Sequence, residues 1–204
     1  MDGTSRFAAD AVAVLAGWVR EAEVAGVPLP TTMTLATTGP DGPHARTVLV
    51  TAIDVAGGTL RFHSSRPTGK THDLAADPRA AGVFHWPALG RQAVLTGQAV
   101  ELDDEVSRAA YRTRPRQLQL VAWAYEALLP GLTPPYRVAP GAVEAAFAAA
   151  EADPASAEAP PSWTTIAFTP WRADFWQAGT PTTPPSRTRY DRDATGWTSF
   201  PVLP

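Results

Sequence analysis

The chain has 204 residues, a formal net charge of −3, no cysteine, and one lysine, Lys70, among its 17 Lys and Arg residues. Its length supports one domain, 1–204, with a real core; lack of cysteine excludes disulfides and thiolate chemistry, and mild acidity argues against a broad nucleic-acid surface. No apolar run approaches the ~20 residues of a membrane span, and the N-terminus lacks a basic-then-apolar leader pattern, so a cytoplasmic protein without a membrane partner is expected.

The first predicted element is a helix over about 6–25. Phe7, Ala11, Val14, Leu15, Trp18 and Val19 recur on one face, Thr4 or Ser5 is positioned to cap it, and Gly26 with Pro28 ends it. Strands are predicted over Thr31–Thr37 and Pro43–Asp54, joined by the turn Gly39-Pro40-Asp41-Gly42. A third strand follows at Thr59–His63, then a short helix from Lys70 to Ala76 and a hairpin of Ala80–Trp86 with Arg91–Leu102. Asp103 is positioned to cap one helix, and Pro115 fits the first turn of another that reaches about Leu129. The Pro- and Ala-rich stretch 130–161 reads as a surface excursion with one helix, Gly141–Glu151. Strands resume at Thr164–Thr169 and Ala173–Gln177, and Thr188–Asp191 with Trp197–Phe200 completes the sheet. The pattern predicts a mainly β fold with flanking helices (α+β), its antiparallel strands closing into a barrel.

One connection carries most of the candidate chemistry. Ser64, Ser65, Thr68, Lys70 and Thr71 would surround a phosphate with hydroxyls and one ammonium, and a helix starting at Lys70 would add free backbone N–H groups. Arg46, on the strand before, would close the cradle. On that strand Arg46, Val48 and Val50 share one face while Thr47, Leu49 and Thr51 share the other. The four histidines, His44, His63, His72 and His85, have no metal-ligand spacing, so no metal site is expected.

At these residues the chain resembles the pyridoxamine 5′-phosphate oxidase family of FMN-binding split barrels. The match lies in Arg46-x-Val48-Leu49, in Phe62-x-Ser64 followed by Lys70-x-His72, in Arg91-Gln92, and later in Arg114-Pro115-Arg116, Phe175-Trp176-Gln177 and Arg187. The resemblance runs from about Pro30 to the C-terminus. It implies that Arg46 and Lys70 hold the FMN phosphate, assisted by Ser64 beside His63. The backbone of Arg46, Thr47, Val48, Leu49 and on to Thr51 would line one edge of the flavin. Gln92 would reach the ring or ribityl chain, and Trp176 and Arg187 would cover the flavin from a second subunit, giving a homodimer with FMN at its interface.

The sequence departs from the family pattern in places. Gly69 stands where a second cation often precedes the lysine. Among substrate contacts Arg114 is kept, while Thr51, Ala110 and Leu118 replace a lysine, a tyrosine and a serine, and Thr183 and Pro185 replace an Arg-x-His pair. The implied activity is an FMN-dependent oxidase or dehydrogenase acting on a small, ring-containing substrate, with O2 as acceptor, as in phenazine-pathway oxidases. A true pyridoxamine/pyridoxine 5′-phosphate oxidase, a non-catalytic flavin-binding protein and a deazaflavin (F420) reductase are the alternatives.

Overall fold

The computed structural model describes residues 10–204. Helix α1 is Ala11–Val24. It starts later than the sequence pattern suggests because Asp10 caps it, its carboxylate accepting from the backbone N–H groups of Val12 and Ala13. Thr4, Ser5 and Phe7, assigned to this helix from the pattern, lie outside the described residues.

The remaining elements follow in chain order. Strands β1 (Thr32–Gly39), β2 (Gly42–Asp54) and β3 (Thr59–Ser65) precede helix α2 (Gly69–Ala76); strands β4 (Arg79–Trp86) and β5 (Arg91–Glu101) form the next hairpin. Helices α3 (Asp104–Arg112), α4 (Arg116–Leu128) and α5 (Ala142–Ala152) lead to β6 (Trp163–Gln177), β7 (Ser186–Asp193) and β8 (Gly196–Val202). Pro115 sits at the N-cap of α4, one place before its first turn.

The sheet order is β3-β2-β1-β4-β5-β6-β7-β8, and an additional β3–β6 pairing closes the first six strands into a ring. All pairings are antiparallel. This is the mainly antiparallel barrel with flanking helices that the sequence predicts.

Strand β6 is continuous where the sequence suggests two strands. Pro170 fits inside it because the β5–β6 register slips between Thr96 and Gly97, opposite the proline, and a bulge tolerates the missing N–H. Gly97 is required there: a Cβ would approach Pro170 Cα to 2.7 Å. The long strand lets β6 pair with β3 through residues 163–168 and with β7 through residues 172–177.

The barrel interior is filled by alternating residues of each strand, among them Met33, Leu35, Val48, Val50, Phe62, Phe84, Leu95 and Phe168. Helix α1 closes one end with Leu15 and Val19, while Trp18 stands edge-on to Trp86 and Phe175. A second, smaller cluster of Tyr111, Ala122 and Trp163 packs α3 and α4 against β6.

Candidate functional site

Strand β2 has two ends with different chemistry. At its Arg46 end, α2 lies across the barrel and brings a set of polar groups together. Lys70, in the first turn of α2, donates from Nζ to Ser64 Oγ at 2.9 Å and to Thr68 Oγ1 at 3.5 Å. Thr68 N–H donates to Thr71 Oγ1 at 2.8 Å, which shapes the chain entering the helix. Lys70 forms no ion pair among the described residues. Burial, and then the charge of Arg46, push its ammonium down to about 8. A half-buried cation without a counter-ion, surrounded by hydroxyls at a helix N-terminus, suits an anion. Arg46 is on the inward face of β2 with Val48 and Val50, which are buried. Its guanidinium donates to Thr37 Oγ1 at 2.6 Å and pairs with Asp73 at 3.3 Å.

Between these ends the ladder of β2 is incomplete. Residues 46–49 pair with β1, whereas pairing with β3 begins only at Val50. Thr47 and Leu49 are therefore exposed beside an open strand edge, which offers backbone groups to a ligand.

At the other end of β2 a pocket of about 670 Å³ opens. The register slips between Val50 and Ala52, and this bulge frees Thr51 from the ladder. Thr51 Oγ1 lies 3.3 Å from Arg61 O, to which it donates, and 2.9 Å from His63 Nε2. His63 Nδ1 lies 3.0 Å from Thr165 Oγ1, and the ring stacks on Trp163 at 5.0 Å. Burial, and then the charge of Arg114, lower the His63 imidazole to about 4, so it is neutral at pH 7. Arg114 lies over the Trp163 ring at 4.5 Å, has no ion pair among the described residues and keeps a buried Nε without a partner. Leu49, Val106, Ala110 and Leu118 supply apolar wall to the same pocket.

Gln92, Trp176 and Arg187 gather elsewhere. Gln92 pairs with Trp176 across β5–β6, and Trp176 pairs with Arg187 across β6–β7, so the three form one row. They line a pocket of about 360 Å³ with His85 and Asp174. Asp174 binds Arg187 at 3.2 Å and Arg189 at 2.9 Å. Its burial opposes the charge, but the two guanidinium groups hold its carboxyl below the usual range. In the ring of strands, β2 and β5 stand opposite each other. The Arg46–Lys70 set and the Gln92–Trp176–Arg187 row thus occupy different walls of one chain.

The structure brings together most of the residues singled out from sequence. Lys70 meets Ser64 with Arg46 close enough to act on its charge, and Thr51, Ala110, Arg114 and Leu118 line one pocket. His63 faces that pocket and not the Lys70 hydroxyls. Thr183 and Pro185 sit in the exposed 178–185 loop and line neither pocket. Sequence reasoning missed Asp73, Thr37, Trp163 and Thr165; for Asp73 the available signal was a lone carboxylate one helical turn after Lys70.

Comparison with known proteins agrees with this architecture. A family model described as pyridoxamine 5′-phosphate oxidase matches residues 19–160. A pyridoxine/pyridoxamine 5′-phosphate oxidase of Burkholderia orbicola is 36% identical over 193 residues, covering 92% of this chain and 86% of its own length. One from Mycolicibacterium paratuberculosis is 38% identical over 167 residues, covering 81% and 74%. Among solved structures, PhzG of Burkholderia lata, in complex with tetrahydrophenazine-1-carboxylic acid, superposes with a TM-score of 0.83 at 24% identity over 97% of this chain and 94% of its own. A pyridoxamine 5′-phosphate oxidase-related, FMN-binding protein of Nostoc punctiforme gives 0.76 at 20% identity, covering 97% and 100%. At these identities the two structures speak to the fold.

Proposed function

The chain belongs to the pyridoxamine 5′-phosphate oxidase family, and we propose that it is an FMN-dependent oxidoreductase acting on a small, planar, ring-containing substrate, with O2 as acceptor. The observation that carries this reading is the unpaired, half-buried Lys70 ammonium among the Ser64 and Thr68 hydroxyls, with Arg46 close enough to depress its pKa. These residues fit the phosphate of FMN. Bound there, FMN would supply the hydride acceptor that the side chains lack.

The protein's own part is binding and orientation. Lys70, Ser64 and Arg46 hold the phosphate, and the open edge of β2 at residues 46–49 lies alongside the ring. Because β2 and β5 are opposite strands, the partner's Gln92, Trp176 and Arg187 complete the site in a homodimer. This reading treats 1–204 as one domain. Substrate enters the pocket at Thr51, where Arg114 offers a cation without an ion pair among the described residues, Arg61 is paired with Asp54, Glu105 adds a carboxylate, and His63 and Thr51 offer uncharged hydrogen-bonding groups beside an apolar wall. A planar ring acid, such as the ligand PhzG holds, suits that lining.

A second reading, pyridoxine 5′-phosphate oxidation, is favoured by the names of the curated relatives. The pocket weighs against it. A dianionic phosphate needs several donors when buried, and Ala110 and Leu118 donate nothing from their side chains.

The test is direct. The purified full-length protein should be yellow, and mass spectrometry of the released chromophore should find FMN. Recovery of FAD or F420 alone, or no binding of added FMN, would sink the reading. Anaerobic reduction of the bound flavin by a candidate substrate then separates an enzyme from a carrier.

A further inference from the structure

Asp73 is a buried carboxylate that neither substrate nor cofactor needs to touch. It lies on α2 three residues after Lys70 and is 3% exposed. Its Oδ2 accepts from Thr37 Oγ1 at 2.6 Å, from His44 Nδ1 at 2.9 Å and from Arg46 Nη2 at 3.3 Å. The other nitrogen of His44 lies 2.8 Å from Asp41 Oδ1. The hydrogen bond to Asp73, opposed by burial and aided by Asp41, raises the His44 imidazole above its ordinary value. Strand β1, the β1–β2 turn, β2 and α2 each contribute to this cluster. Gly39 leaves it room: a Cβ there would stand 2.6 Å from His44 Nδ1 and 2.9 Å from Asp73 Oδ1. Burial opposes the Asp73 charge, but its donors hold the carboxyl below the usual range.

The cluster fixes Arg46. Nη1 donates to Thr37 Oγ1 at 2.6 Å and to His44 O at 3.3 Å, and Nη2 donates to Asp73. An arginine has five N–H donors in a rigid fork, so about two remain for a ligand. A guanidinium held this way gives up little rotamer freedom on binding.

We propose that Asp73, braced by Thr37 and His44, is the positioning residue of the anion site, holding Arg46 so that its remaining donors meet a phosphate group. This rests on Arg46 being a phosphate ligand. It adds a role for Asp73, His44 and Thr37 that no resemblance supplied.

The experiment titrates the flavin-free full-length protein with FMN and, separately, with riboflavin, which has the same ring without the phosphate, and follows quenching of flavin fluorescence. Asp73→Asn is expected to raise the FMN Kd about tenfold and to leave the riboflavin Kd within about twofold. His44→Gln, at a half-exposed position, is expected to give the same selective loss at about threefold, and keeps the test valid where Asp73→Asn does not fold. Equal weakening of both ligands would mark a structural role and overturn the proposal, as would an unchanged FMN Kd in the folded variants. Wild-type protein that binds FMN no better than riboflavin would overturn the phosphate site and this inference together. Wild-type protein that prefers FMN, with variants that weaken both ligands equally or neither, would overturn this inference alone.

Discussion

Arg46 and Thr51 are five residues apart on β2, and the two regions around them differ in how they treat charge. At the Arg46 end two cations lie near each other, Arg46 bound to Thr37 and the buried Asp73 carboxylate and Lys70 to the Ser64 and Thr68 hydroxyls. At the Thr51 end one guanidinium lies flat on Trp163, beside an imidazole kept neutral. The first set would suit a multiply charged anion, whereas the Thr51 pocket mixes apolar wall with Glu105, with Arg61, which is paired to Asp54, and with Arg114, which has no ion pair among the described residues. Under the proposed function, the capacity to hold phosphate would be concentrated at one end of this strand and thinned at the other.

The largest effect expected from this difference is discrimination against phosphorylated substrate. Two missing charged contacts cost on the order of 3–6 kcal/mol, or about two to four decades in affinity. FMN-loaded protein should therefore show negligible oxygen consumption with micromolar pyridoxine or pyridoxamine 5′-phosphate. Rapid turnover would show that donors reach the Thr51 pocket from elsewhere and would erase the contrast.

Arg46→Ala comes next, and it acts twice. It should abolish tight FMN binding, and it should also destabilise the fold by about 3 kcal/mol, because it leaves Asp73 buried without its guanidinium. Thermal melts of flavin-free protein check the second part. An unchanged melting temperature would mean that Asp73 does not depend on Arg46.

Lys70→Ala should separate the two quantities. Among the described residues Lys70 has no carboxylate partner to orphan, so stability should hold or rise slightly, while FMN affinity falls by about 1.5–3 kcal/mol. Equal losses of stability and affinity would contradict the assignment.

Two smaller effects depend on pH. The Lys70 ammonium titrates at about 8 in the flavin-free protein, below its ordinary value, so the charged form is disfavoured by folding and favoured by a bound anion. FMN binding should therefore take up protons above that pH, and affinity should fall as pH rises past about 8, by at most about tenfold per unit. Lys70→Arg, charged throughout, should flatten this limb; a limb that persists unchanged would place the titration elsewhere. At the Thr51 end, His63 titrates at about 4, so substrate binding should show no histidine limb from about pH 5 to 8. A limb in that range that disappears in His63→Gln would show the imidazole is better solvated than the stacked geometry implies.

Much of this molecule was legible from local pattern. The alternation of Val48 and Val50 against Thr47, Leu49 and Thr51 placed the inner and outer faces of β2 correctly, because side chains on a strand alternate whatever the strand pairs with. The Gly39-Pro40-Asp41-Gly42 turn, the short helix at Lys70 and its hydroxyl-rich approach were likewise visible, since turn and capping chemistry acts over a few residues. The boundary of α1 was missed because an apolar period does not mark its own start; Asp10 does, through its side-chain bonds. The long β6 was missed because Pro170 reads as a break unless Gly97, more than seventy residues earlier in the chain, is known to face it with a bulge.

The composition and local pattern of the chain determined most of its strands, its hydroxyl-rich loop and the single lysine beside it. Tertiary structure alone decided which groups answer one another. His63 meets Thr165 across 102 residues of sequence, Asp73 reaches Thr37 across 36, and β2 stands opposite β5 only once β3 pairs with β6. Charge balance and desolvation depend on these distant approaches, so the neutral imidazole and the anchored guanidinium take their properties from tertiary packing as well as from near neighbours such as the His44 carbonyl.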